Sequence, residues 1–213
     1  MRKHLIFDLD GTISNPQQGI VNGYHYAFKK MGMPGKSENE LAGLIGPPLR
    51  NVFSEIYSFS KDDTDLAIQH YRDYYYGQGG MYENFIFEGM KELLGGLHEK
   101  GHILHIATNK GLQVDKILDY LGVLGYFSSI EHYNEDKGIT QKHQMLSNIL
   151  RDQKIQNEDA LMIGDREHDI LAAHHVGMGS IGVLYGFGTL EEMNQCKPTF
   201  IVSSVDELGH ILN

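Results

Sequence analysis

The run Arg2–Thr12, RKHLIFDLDGT, constrains this chain more than any other stretch. Leu5, Ile6 and Phe7 form a short unbroken apolar segment, the pattern of a strand buried on both faces of a parallel sheet. Asp8 and Asp10 follow at once, then Gly11 and Thr12. Residues two apart on an extended segment project to the same side. The two carboxylates therefore converge just past the strand's carboxyl end, where open α/β sheets place their ligands. Gly11 lets the chain turn sharply and lets its backbone approach a ligand. Paired acids at the end of an apolar strand are costly unless a cation or a shared proton compensates them. Taken alone, Asp-Gly is also an ordinary turn dipeptide.

The rest of the chain repeats this arrangement. From Phe87 onward, helical and strand patterns alternate: a helix near 88–100 closed by Gly101, a strand 103–107, a helix 112–121, and a weak strand 128–132. A helix 140–150, a strand 160–163, a helix 167–175 and a strand 180–184 follow, with a helix–strand–helix set at 190–195, 200–202 and 205–211. Strands separated by helices of this length imply a parallel sheet. Between Asn15 and Gly80, by contrast, only helical periodicity is visible, over 16–31, 49–58 and 62–76. The expected fold is an α/β class, doubly wound (Rossmann-like) parallel sheet core, 1–14 and 83–213, with a small all-helical cap domain inserted at 15–82. Gly77, Gly79 and Gly80 suit a flexible return linker. The cluster Tyr71, Tyr74, Tyr75 and Tyr76 reads as core of that insertion.

Two further strand ends carry polar groups. Thr108-Asn109 follows the strand 103–107, so the Thr108 hydroxyl can face the cleft of Asp8; a Thr there also suits a helix cap. ALMIGDREHD places Asp165 at a strand end and Asp169 on the first turn of the next helix, which can bring it back toward Asp165. Four carboxylates aimed at one cleft repel one another without a metal, and oxygen-only donors suit a hard cation such as Mg²⁺.

Together these stations resemble the haloacid dehalogenase superfamily of phosphotransferases: hhhDxDGT, a Thr-Asn after a strand, a lysine, and GDxxxD. The resemblance implies that Asp8 is the nucleophile forming an aspartyl-phosphate and that Asp10 is the general acid/base. It implies that Thr108, assisted by Asn109 and the turn at Gly11, holds the phosphoryl group. It further implies Mg²⁺ bound by Asp8, the Asp10 carbonyl and Asp165, with Asp169 as ligand or as support. The superfamily's dehalogenases lack the second acid, so Asp10 argues against that chemistry. The lysine has two candidates, Lys137 and Lys142 in EDKGITQKHQML. Lys142, opening an amphipathic helix, fits the family position better, whereas Lys137 belongs to a loop.

The segments IGPPLRNVF and MIGDREHDILAAHHVGMGSIGVLYGFG look like the phosphoglycolate-phosphatase-type branch, including members described as 5′-nucleotidase. In that branch the Gly46-Pro47-Pro48 loop and Arg50 face the active site, where Arg50 could grip a carboxylate or second phosphate. The expected activity is hydrolysis of a small phosphate monoester. A β-phosphoglucomutase-type mutase and a catalytically idle binding protein are the alternatives.

Composition narrows the partners. A net charge of −10 argues against nucleic-acid polymers. It leaves small phosphorylated metabolites open, because a divalent cation and a few lysines can hold them locally. The single cysteine, Cys196, permits no internal disulfide. No apolar run approaches the ~18 residues of a membrane span, and the stretch before Asp8 is too short for a signal peptide. A cytoplasmic protein that does not engage membranes is expected. Oligomeric state is open between monomer and homodimer. Of the twelve histidines, His168, His174 and His175 share one helix without a zinc spacing and read as surface or packing residues.

Overall fold

The structure, a computed structural model, describes residues 3–212, so Arg2 of the opening run lies outside the described residues. The chain divides into two compact units, one of residues 1–15 and 86–213 and the other of residues 16–85.

The first unit is built on a six-stranded parallel sheet. Its strands are β1 (His4–Phe7), β2 (Ile103–Thr108), β3 (Phe127–His132), β4 (Ala160–Gly164), β5 (Gly179–Val183) and β6 (Phe200–Val202). They lie in the order β3-β2-β1-β4-β5-β6. Leu5 pairs with Leu104 on one side and Leu161 on the other, and Phe7 with Ile106 and Ile163, so β1 is a central strand. Its apolar run is buried for that reason: Leu5, Ile6 and Phe7 have helices over both faces of the sheet to exclude water. The chain builds outward from β1 through β2 to β3, then crosses back to place β4 on the other flank of β1. The order therefore reverses between β1 and β4, and ligands of open α/β sheets bind in the crevice at such a reversal.

Helices Met90–Glu99, Val114–Tyr120, Lys142–Asp152, Glu167–His175, Leu190–Cys196 and Val205–Leu212 accompany the strands. One core cluster joins Ile6, Ala107 and Met162 of the sheet to Met145, Leu146 and Ile149 of one helix and to Ala172 and Ala173 of another. The strand expected to be weak is a full six residues, β3. Its Ser128, Ser129 and Glu131 blur the apolar signal because β3 is an edge strand, half-buried along most of its length.

The second unit is helical. Gln17–Lys30 and Lys61–Tyr75 are its long helices, and Ser60 caps the second by accepting from the Asp63 amide. Its core is aromatic: Tyr24, Phe28, Phe53 and Tyr71 meet ring to ring, and Tyr75 stacks on Tyr71. The segment expected as one helix over 49–58 is a short turn, Leu49–Asn51, running into a π-helix, Val52–Ile56. Glu38–Ala42, capped by Ser37, adds a helix that the sequence did not suggest. Among the described residues, no helix is long and apolar enough to cross a membrane.

Candidate active site

The site grows from the carboxyl ends of β1, β2 and β4. Asp8 continues the ladder one step beyond β1, its amide donating to the Ile163 carbonyl at 2.9 Å. The backbone then folds tightly, with the Ile13 and Ser14 amides both donating to the Leu9 carbonyl. Gly11 sits at a φ of +88° inside this turn, and a Cβ there would run into the Asp165 carboxylate. Two strand-end motifs distant in sequence are thereby packed against one another. Gly164, the last residue of β4, leaves room in the same way for the Asp169 carboxylate to fold back.

Asp8, Asp165 and Asp169 are all buried, and an oxygen of each lies within 4.8 Å of the others. Lys142 Nζ reaches into the group, 2.8 Å from Asp8 Oδ1 and 2.6 Å from Asp169 Oδ1. It does so because Lys142, Met145, Leu146 and Ile149 share one face of their helix, and that face packs on the sheet. Lys137 lies exposed in a short 3₁₀ turn, Glu135–Lys137. Of the two candidate lysines, Lys142 is the one that touches the carboxylates.

The other oxygens are partly accounted for by backbone. Asp169 Oδ2 accepts from the Arg166 amide at 3.0 Å, and Asp165 Oδ2 from the Phe187 amide at 2.7 Å. Asp165 Oδ1 is buried and makes no hydrogen bond to any described residue. Burial pushes the Asp165 carboxyl well above the usual range, and the neighbouring charges of Asp169 and Asp8 push it further. Burial likewise raises Asp8, against the pull of Lys142. Burial alone would lower Lys142, but the flanking Asp169 and Asp8 outweigh it and raise it. Three buried carboxylates thus face one ammonium. The surplus negative charge, the oxygen-only donors and the unsatisfied Asp165 oxygen fit a hard divalent cation.

Thr108 is buried at the end of β2, and its Oγ accepts from the Lys110 amide at 3.1 Å. The next helix begins only at Val114, so Thr108 does not cap it. Asn109 follows Thr108 in the same turn. Asp10 is paired with Lys110, Nζ to Oδ2 at 2.8 Å. Lys110 was not singled out in the sequence, although it directly follows Thr108-Asn109. The loop Leu184–Gly188, which supplies the Phe187 amide, was not assigned a role either. His168 lies nearer the chemistry than a surface residue, its Nε2 3.8 Å from Asp169 Oδ1; burial, with Lys142 close by, lowers its pKa to about 3. His174 and His175 are exposed, and the His175 ring packs at a tilt against His143. Arg50 belongs to the helical unit, where Nη1 is 2.8 Å from Asp65 Oδ1.

The family described as "Haloacid dehalogenase-like hydrolase" matches over residues 5–183, from the start of β1 to the end of β5. The chain belongs to that family. A 5'-nucleotidase of Pseudomonas aeruginosa is 34% identical over 98% of this chain and 95% of its own length. A phosphoglycolate phosphatase of Vibrio parahaemolyticus is 27% identical over 99% of this chain and 96% of its own. The crystal structure of a "predicted phosphatase" from Clostridium acetobutylicum superposes with a TM-score of 0.94, at 34% identity, covering 100% of this chain and 98% of the other. This haloacid dehalogenase-like hydrolase is an enzyme of the phosphatase type, with its carboxylates at the sheet reversal.

Proposed function

We propose that the protein is a Mg²⁺-dependent phosphatase that hydrolyses a small phosphate monoester through an aspartyl-phosphate on Asp8. The observation that carries this reading is the buried cluster of Asp8, Asp165 and Asp169 around the Lys142 ammonium at the carboxyl end of the central strand. Mg²⁺, held by Asp8, Asp165 and Asp169 or a subset of them, would neutralise phosphoryl oxygens.

In the first step an Asp8 oxygen attacks phosphorus in line, the bond from phosphorus to the ester oxygen breaks, and Asp10 gives its proton to the departing alcohol. Lys142 offsets charge at Asp8, and the Thr108 hydroxyl and neighbouring amides hold the phosphoryl oxygens. In the second step Asp10 takes a proton from water as the water oxygen attacks phosphorus. The bond from Asp8 to phosphorus then breaks, inorganic phosphate leaves and the Asp8 carboxylate is restored. The substrate class is that of phosphoglycolate or a nucleoside monophosphate, supported by the names of the relatives.

Phosphate release from phosphoglycolate, nucleoside monophosphates and sugar phosphates, with Mg²⁺ and with EDTA, tests the reading. We expect Mg²⁺-dependent release, abolished in Asp8→Asn. Isomerisation of a sugar phosphate without phosphate release, or an Asp8→Asn variant at the wild-type rate, would sink it.

A further inference from the structure

Two lysines enter this site, and they serve different carboxylates. Lys142 is shared by Asp8 and Asp169, whereas Lys110 sits 2.8 Å from Asp10 Oδ2. The Lys110 and Asp10 side chains are only 5% and 14% exposed, so their attraction is little screened by water and holds a defined geometry. The other Asp10 oxygen, Oδ1, is buried and makes no hydrogen bond to any described residue. An orphaned buried carboxylate oxygen is expensive, and one kept at a reaction centre has a use. Both backbones are anchored as well. The Lys110 amide is fixed on Thr108 Oγ, and the turn carrying Asp10 is closed by the Gly11 amide on the Ser14 carbonyl at 2.8 Å.

We propose that Lys110 is the positioning residue of Asp10: its ammonium holds Oδ2 and thereby turns Oδ1 toward the ester oxygen that leaves. The proposal rests on the phosphatase reading above, in which Asp10 exchanges the proton with that oxygen. Lysine suits the task better than arginine. A point-like ammonium engages one carboxylate oxygen and leaves its twin open, whereas a guanidinium fork takes both. Lys110 itself forms and breaks no bond to phosphorus. It removes a rotational freedom of Asp10 that proton transfer would otherwise have to freeze at each turnover.

The signature of such a role is dependence on the leaving group. An alkoxide leaves poorly and needs its proton in the transition state, while a nitrophenolate leaves without one. The experiment compares kcat/KM, which covers the steps up to release of the alcohol, and kcat for an alkyl phosphate and for p-nitrophenyl phosphate in wild type, Lys110→Met, Lys110→Arg and Asp10→Asn, all with saturating Mg²⁺. For Lys110→Met we expect kcat/KM on the alkyl ester to fall about 100-fold, the low end of what a general acid contributes. We expect kcat/KM on p-nitrophenyl phosphate to fall by less than about fivefold, because its leaving group needs no proton in that step, while kcat falls on both esters through the shared attack of water on the aspartyl-phosphate.

The aryl ester also reports folding, because a misfolded preparation loses both activities together. Lys110→Arg keeps the buried charge, and it should show the same ester-dependent loss because its fork engages Oδ1. Equal losses of kcat/KM on both esters in Lys110→Met, a wild-type kcat/KM on the alkyl ester, or an unimpaired Lys110→Arg would overturn the proposal. If Asp10→Asn itself loses kcat/KM equally on both esters, the acid assignment of Asp10 falls first. If wild type turns over neither ester, the phosphatase reading fails.

Discussion

Acid should destabilise this protein through a histidine buried in the sheet, and the size of the effect follows from its surroundings there. His105 is fully buried on β2; its Nδ1 lies 2.8 Å from Ser129 Oγ on β3 and its Nε2 lies 3.1 Å from His4 Nδ1 on β1. Its ring nitrogens thus face a hydroxyl and another imidazole. Burial, reinforced by His4, lowers its pKa from 6.5 to about 4. Between those two values the unfolded chain binds a proton that the folded chain refuses. Stability is therefore fully present above pH 6.5 and is lost as the pH falls toward 4. For a single site with these two pKa values, the stability lost between pH 7 and pH 5 is about 2 kcal/mol.

Replacing His105 with Asn keeps a polar group facing Ser129 and removes the titration. Urea unfolding at pH 7 and pH 5 checks the consequence. Whatever His105→Asn costs at pH 7, the variant should lose about 2 kcal/mol less than wild type on going to pH 5. Equal losses in both proteins would show that His105 accepts its proton in the folded state, and the burial argument would be wrong.

Two further outcomes concern the acidic cluster. Saturating Mg²⁺ at about 100 times its Kd should stabilise wild type by about 2.7 kcal/mol, a shift of about 5 to 10 °C in Tm; the shift should vanish in Asp165→Asn, and thermal denaturation with Mg²⁺ or EDTA reads it directly. Lys142→Met leaves Asp8 and Asp169 buried beside one another without their ammonium, so it should cost about 3 to 5 kcal/mol in urea unfolding and more than about 100-fold in kcat, whereas Lys137→Met on its exposed turn should change neither by a measurable amount.

What was legible in the sequence was whatever the chemistry keeps local. Asp8, Asp10, Thr108 and Asp165 each lie at or just past the end of an apolar strand, and Asp169 on the first turn of the helix that follows one, so strand and functional group are read from the same few residues. The parallel sheet was visible for the same reason, because buried strands such as Leu161–Ile163 leave unbroken apolar runs. Lys142 was readable only as one of two candidates. Its rank depends on which helical face packs on the sheet, a tertiary fact that the period of Met145, Leu146 and Ile149 hints at. Lys110 was overlooked because its partner lies a hundred residues earlier, and a lysine in a turn carries no sign of burial. The His4–His105–Ser129 chain was invisible for a similar reason: it is made by register across three strands, and none of its members is unusual in its own segment.

The place of β1 has a consequence for how the protein is made. The strand at the centre of the sheet leaves the ribosome before either of its neighbours, β2 or β4, exists. With roughly 150 residues separating β1 from β4, translation at about 5 to 20 residues per second leaves that flank bare for about 8 to 30 seconds. In that interval the helical unit, whose contacts are local, can fold on its own, while Leu5, Ile6 and Phe7 wait as a short sticky segment with no sheet to join. A nascent chain stalled before residue 160 should therefore be a better client for chaperones than one stalled after it, although both already carry the nucleophile.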